Sequence, residues 1–182
     1  ARARERTDTL TGTAATEAAR EVPLRKHDAR ACSRAELTGA IEGRGFSAEL
    51  ALQVVDRLEA VGLVDDQAYA DALVRSRFAG TGASGRALRE LLVRKGLDAP
   101  VIEHALSQID RDDEAERAAQ LVARKRRSLA GVPRDTAYRR LCSMLARKGY
   151  SPAVASNAVR EALDEWHAGS AEDGERWSWE GS

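Results

Sequence analysis

Aromatic side chains are scarce in this chain, at 4% of 182 residues, so leucine, valine, isoleucine and alanine must supply nearly all of any core. Cysteine is rarer still: Cys32 and Cys142 stand far apart, with no CxxC pair or Cys/His cluster. That excludes a zinc ribbon and a disulfide framework, and leaves two buried or half-buried thiols in a reducing cytosol as the expectation. No apolar run approaches the ~18 residues of a membrane span, and no charged-then-apolar leader opens the sequence. A cytoplasmic protein with no membrane partner is expected. An excess of either charge is missing as well, since 29 basic residues balance 29 acidic ones. This argues against a uniformly cationic coat for nucleic acid, but not against a local basic stripe.

Catalytic motifs are also absent. There is no Walker loop, GxGxxG, HExxH or nucleophile elbow. His27, His104 and His167 are scattered, with no partner at a workable spacing. The pairs Asp65-Asp66 and Asp112-Asp113 can be read as paired carboxylates for a metal or for acid–base work. Each pair also precedes a helical pattern, where an acid caps the helix and faces its positive end. Capping explains both pairs at once and is the reading adopted. The expectation is a protein that is not an enzyme, with no catalytic residue, no cofactor and no metal site.

What the sequence does contain is a repeat. Arg44-Gly45-Phe46, Lys95-Gly96-Leu97 and Lys148-Gly149-Tyr150 put a base, a glycine and an apolar residue in the same order, the glycines 51 and 53 positions apart. Eight before each glycine stand Leu37, Leu88 and Leu141; four before, Ile41, Leu92 and Leu145. After it, apolar residues recur at five (Leu50, Val101, Val154), nine (Val54, Ala105, Ala158), ten (Val55, Leu106, Val159) and thirteen (Leu58, Ile109, Ala162). The first set marks one helix face, which the glycine ends by accepting a left-handed conformation. Ser47, Asp98 and Ser151 then serve as N-caps, with Pro100 and Pro152 in the first turn of a second helix. A third helix follows Asp65-Asp66 and Asp112-Asp113 in the first two units.

The fold predicted is all-α, with roughly eight helices and no sheet, in three tandem helical repeats forming an elongated array. Repeat 1 spans residues 24–80, repeat 2 residues 81–131 and repeat 3 residues 132–167. Gly80-Thr81-Gly82 and Gly131-Val132-Pro133 mark the joints. Residues 1–23 and the acidic, tryptophan-containing residues 168–182 carry too little apolar surface to bury and are expected to be flexible. Deleting the chain from about Arg134 is expected to leave two folded repeats.

Charge is segregated into blocks. Residues 75–95 and 117–148 are basic; 47–74, 98–116 and 161–182 are acidic. The two basic blocks fall at equivalent places, on the exit of one repeat and the first helix of the next. A solvated, salt-bridged surface explains any one block, whereas two in register favour a binding stripe for an anionic partner. The candidate partner-binding residues are Arg75, Arg77, Arg86 and Arg89 at the first joint, with Arg124, Lys125, Arg126, Arg127, Arg139 and Arg140 at the second.

Three stretches in this order resemble the RecX family. They are Gly62-Leu63-Val64-Asp65-Asp66 with Tyr69-Ala70 and Arg75-Ser76-Arg77; Leu88-x-Glu90-Leu91 running into Lys95-Gly96-Leu97; and Arg139-Arg140-Leu141 running through Leu145-Ala146-Arg147-Lys148-Gly149-Tyr150. The likeness covers residues 33–166. It implies three tandem three-helix units in a curved array; a monomer is expected. The partner it implies is the RecA filament on DNA, whose ATP hydrolysis, strand exchange and coprotease action it would inhibit as part of the SOS response. It also implies binding to single- or double-stranded DNA. A helical-repeat protein acting on DNA directly is the alternative. The chain departs from the pattern in its apolar-poor segment before Ser33, where the family commonly opens with a helix, and in Met144, where an aromatic residue is common.

Overall fold

A computed structural model describes the backbone over residues 32–176 and side chains over residues 32–166. The described residues form eight α-helices and a short 3₁₀ turn, with no strand. In chain order these are α1 (Arg34–Glu42), α2 (Ala48–Ala60), α3 (Asp66–Thr81), α4 (Gly85–Arg94), α5 (Ala99–Leu106), α6 (Arg111–Arg126), the 3₁₀ turn (Arg127–Leu129), α7 (Arg134–Arg147) and α8 (Pro152–Arg176). The expected flexibility of residues 1–23 lies outside the described residues, as does the start of repeat 1.

Local chemistry sets the helix ends. Ser33 and Glu36 form a reciprocal capping box at the start of α1. Ser47 Oγ accepts from the Leu50 N–H at 3.2 Å to start α2, and Ser151 Oγ accepts from the Val154 N–H at 3.2 Å to start α8. Gly45, Gly96 and Gly149 each turn the chain at positive φ, at 97°, 71° and 97°.

The aspartate pairs need correction. Asp65 does cap α3, accepting from the Ala68 N–H at 2.9 Å, but Asp66 reaches away to accept the Arg34 N–H of α1 at 2.7 Å. Asp110, rather than Asp112-Asp113, caps α6, accepting from the Asp113 N–H at 2.7 Å. That helix starts two residues earlier than the pair suggests, so Asp112 and Asp113 sit in its first turn, where they still complement the helix dipole.

The chain gathers into two compact units, and two of the three boundaries fall inside helices, within α3 and within α4, while the third lies at the end of α5. Of the described residues, the first holds 32–75 together with 89–106. Its core packs Cys32, Leu37, Ile41, Ala51, Val54, Val55, Leu58 and Val64 between α1, α2 and the segment leading to α3. Within it the Lys95-Gly96 turn abuts the start of α1: Ser33 Oγ donates to the Lys95 carbonyl, and Lys95 Nζ meets Glu36 at 2.8 Å.

Of the described residues, the second unit holds 76–88 and 107–176. Its core joins Ala118, Val122, Leu129, Leu141, Leu145, Val159 and Leu163 from α6, the 3₁₀ turn, α7 and α8. Here the Lys148-Gly149 turn likewise abuts the start of α4, but through backbone donors, while the Ser84 hydroxyl donates to Glu114. Ser84 N–H donates to the Lys148 carbonyl at 2.8 Å, and Arg86 N–H to the Gly149 carbonyl at 3.3 Å. One joint is therefore used twice, a base-glycine turn against the residue that opens a helix, with Ser33 and Ser84 as the buried polar residues.

Because α6 packs on both α7 and α8, deleting the chain from Arg134 would strip α6 of its core instead of leaving it folded. The last helix also continues to Arg176, past the end at residue 167 read from composition. Once a helix is nucleated each residue adds a hydrogen bond, and Ala168, Ala171, Glu172 and Glu175 are good helix formers.

The first joint has a pH signature. Burial pushes the Glu36 carboxyl up, but hydrogen bonds from Lys95 and the Ser33 N–H, the Lys95 charge and the Tyr69 hydroxyl outweigh it. The group sits below the ordinary 4.5. Its stabilisation is complete above the unfolded value and is lost as pH falls through the lower, folded value. Lys95 is raised above 10.5, chiefly by its hydrogen bond to Glu36, so its share is lost only as pH rises beyond that. Urea midpoints of wild type are expected to fall across the acid range below about pH 4.5, and those of Glu36→Gln to fall less steeply there. Parallel profiles would mean the pair adds nothing.

Candidate functional site

The ten basic residues singled out from the sequence do not behave alike. In the second unit the C-terminal turn of α6, the 3₁₀ turn and one face of α7 enclose an open groove of about 560 Å³. Lys125, Arg139 and Arg140 line it, together with Ser128, Leu129, Ser143, Met144 and Arg147. Lys125, Arg139, Arg140 and Arg147 are all exposed, and among the described residues no carboxylate lines the groove. No described ion pair engages any of the four. Four cations with two hydroxyls over a floor of Leu129 and Met144 make a surface for an anionic partner, with Arg offering two-point grips.

Arg147 was missed as a site residue, although the signal was present. Arg140, Ser143, Met144 and Arg147 follow the i, i+3, i+4, i+7 spacing of one helix face. Arg124 and Arg127 are exposed at the end of α6 and in the 3₁₀ turn, outside the groove lining.

Arg126 belongs to the interior instead. Half-buried, it donates to the Ala162 carbonyl at 3.0 Å, and its guanidinium lies 5.9 Å from the Trp166 ring centroid. It fastens α6 to α8, so reversing its charge would disturb packing as well as binding. Arg126→Ala is expected to cost about 2–4 kcal/mol, the sum of a charged hydrogen bond and a cation–π contact. Thermal melts by circular dichroism would read this; an unchanged midpoint would mean the clamp is idle.

The first-joint residues are dispersed. Arg89 makes a two-point pair with Glu103 on α5. Arg75 and Arg77 are exposed on α3. Arg86 lines a different cavity of about 540 Å³ with Glu114, Tyr150 and the α8 start. Tyr150 is buried there, and burial pushes its hydroxyl up to about 12. Among the described residues no group of three or more His, Cys, Asp or Glu could hold a metal ion, and no helix is long and apolar enough to cross a membrane.

With this geometry in place, the chain can be set beside known proteins. Residues 65–106 match the family model for the RecX second three-helix domain, and residues 112–159 match that for the third. Both matched stretches open at the aspartates of α3 and α6. "Regulatory protein RecX" of Streptomyces lividans is 45% identical over 149 residues, covering 82% of this chain and 79% of that one. Its namesake from Mycolicibacterium vanbaalenii is 45% identical over 153 residues, covering 81% and 83%. The crystal structure of RecX from Lactobacillus salivarius superposes with a TM-score of 0.74 at 16% identity, over 80% of this chain and 95% of that one, a likeness of fold.

Proposed function

The chain belongs to the RecX family of regulatory proteins, and on that premise we propose that it binds the RecA filament on DNA and restrains it. It acts in the cytoplasm as a monomer with no chemistry of its own, lowering RecA ATP hydrolysis, strand exchange and coprotease action. The observation that carries this reading is the groove of Lys125, Arg139, Arg140 and Arg147, cationic and, among the described residues, without a carboxylate. A repeating anionic polymer offers such a surface many equivalent sites, so weak contacts add by raising effective concentration. Restraint then follows from holding neighbouring subunits in one arrangement.

The test is RecA ATPase on single-stranded DNA, titrated with this protein at fixed salt. Turnover is expected to fall to a low plateau; turnover that stays level at saturation refutes the reading. Direct action on DNA is the second reading, favoured by the fit of guanidinium groups to phosphate. Pull-downs on bare strands and on strands coated by RecA with a non-hydrolysed nucleotide separate the two. Retention on coated strands only supports the filament reading, and equal retention on bare strands supports the second.

A further inference from the structure

The groove leaves two exposed bases unused, since Arg124 and Arg127 lie outside its lining. Both belong to the run Arg124-Lys125-Arg126-Arg127, which leads straight into Ser128 and Leu129. Arg124, Lys125 and Arg127 are exposed, while Arg126 is turned to Ala162. Ser128 is exposed too, and it lines the groove with Lys125, Arg139, Arg140 and Arg147. One hydroxyl therefore follows the basic run in sequence and shares the groove with its cations in space. Exposed bases one, three and four residues ahead of a serine, with an apolar residue after it, form the charge pattern that an acidic kinase cleft selects.

The local backbone suits an acceptor. Ser128 sits in the three-residue 3₁₀ turn after α6, followed by Ala130 in an extended conformation at ψ 130° and by Gly131 at φ 79°. A single 3₁₀ turn opens more readily than the helix before it. The Ser128 hydroxyl donates to the Lys125 carbonyl at 2.8 Å, a local bond that the same opening releases. Leu129 is buried, so it must also be released for a kinase to take the chain extended. Transfer should therefore be slower on the folded chain than on a peptide of the same sequence.

We propose that Ser128 is a phosphorylation site whose phosphate seats among Lys125, Arg139, Arg140 and Arg147 and closes the groove to its partner. The co-reactants are a basophilic serine kinase and a nucleoside triphosphate. The bond from Ser128 Oγ to the γ-phosphorus forms as the bond from that phosphorus to the bridging oxygen breaks. The nucleoside diphosphate leaves with the electron pair, and the hydroxyl proton passes to a carboxylate of the kinase. The product carries about 1.5–2 negative charges and three acceptor oxygens. Cations already gathered by the fold receive it, and among the described residues no carboxylate lines the groove to oppose it. Being tethered, the phosphate acts at a high effective concentration that a partner must overcome. The closing rests on the filament reading of the groove; the modification and its seat do not.

The full chain is incubated with ATP and the catalytic subunit of cyclic-AMP-dependent protein kinase, with a peptide of residues 122–133 as the positive control. Mass spectrometry is expected to place a phosphoryl group on Ser128, and Ser128→Ala is expected to lose it. An unmodified Ser128 in the chain while the peptide is labelled overturns the proposal, whatever the filament assays give. Phosphorus NMR then follows the second ionisation of the phosphate. At low salt its midpoint is expected below the ordinary value of about 6, returning towards it at high salt and in Arg139→Gln with Arg140→Gln. A midpoint at the ordinary value in low salt overturns the seat. The phosphorylated chain is expected to be retained on RecA-coated strands about tenfold less than the same chain after phosphatase treatment. Equal retention with the phosphate seated overturns the closing. A seated phosphate in a chain that binds no filament in either form upholds the modification and rejects the filament reading instead.

Discussion

Replacing Gly149 by valine is expected to lower stability by about 3–5 kcal/mol, enough to open the second unit. Two costs combine. Gly149 holds φ at +97°, which a β-branched residue strongly resists. A Cβ built there would also stand 2.0 Å from the Ser84 carbonyl oxygen and 2.5 Å from the Ala87 nitrogen. Both are backbone atoms, so neither can swing aside. Relief requires the turn to lift from α4, breaking the Ser84 and Arg86 N–H bonds to it. Gly62→Ala is the matched control, because Gly62 shares the positive φ, at +72°, but has nothing within 4 Å of a new Cβ. It should lose only about 1–2 kcal/mol, the local cost of the left-handed conformation. Urea melts followed by circular dichroism give both values. Equal losses would mean the joint between this turn and α4 does not form in solution.

The largest expected effect on binding comes from Arg139→Glu with Arg140→Glu. Both side chains are exposed in the groove, and Glu is as good a helix former as Arg, so α7 should keep its helicity and the melting midpoint should hold. Each reversal replaces an attraction with a repulsion. At about 1.4 kcal/mol apiece the pair is expected to weaken retention on RecA-coated strands roughly 100-fold. Arg126→Glu is not a substitute, since its lost contacts to Ala162 and Trp166 would confuse misfolding with weak binding. Wild-type retention by the double variant, with helicity intact, would assign the partner surface elsewhere.

Much of the fold was legible because the repeat exposed it. The columns eight and four before each glycine are fully buried in all three copies. A further column, six after the glycine, is buried as Ala51, Ile102 and Ala155, and the sequence reading passed it over. What the sequence concealed was the partner of each turn. Ser33 and Ser84 read as ordinary polar residues beside a helix start. Their burial comes from turns 62 and 64 positions away in sequence, which no local pattern encodes. The same limit applies to the site. A block of positive charge is visible in sequence, but the inward turn of Arg126 depends on where α8 lies. The assembly of Arg147 with Arg139 and Arg140 depends on α7 being one uninterrupted helix.

That joint also sets how many modules can follow. Ser33 and Ser84 each stand twelve residues before their glycine, immediately ahead of the helix they open. In α7 the same register falls on Ala137, buried and already one turn inside a helix that starts at Arg134. A fourth base-glycine turn arriving there would find a methyl group in place of the hydroxyl that Ser33 offers to the Lys95 carbonyl. The backbone N–H that Ser84 offers to a carbonyl is, at Ala137, committed to Pro133 at 2.9 Å. Gene duplication at this end would therefore lengthen the protein without supplying a seat for the new copy. Lengthening it productively would require trimming α7 by a turn and restoring a serine, a concrete rule for anyone building longer versions of the array.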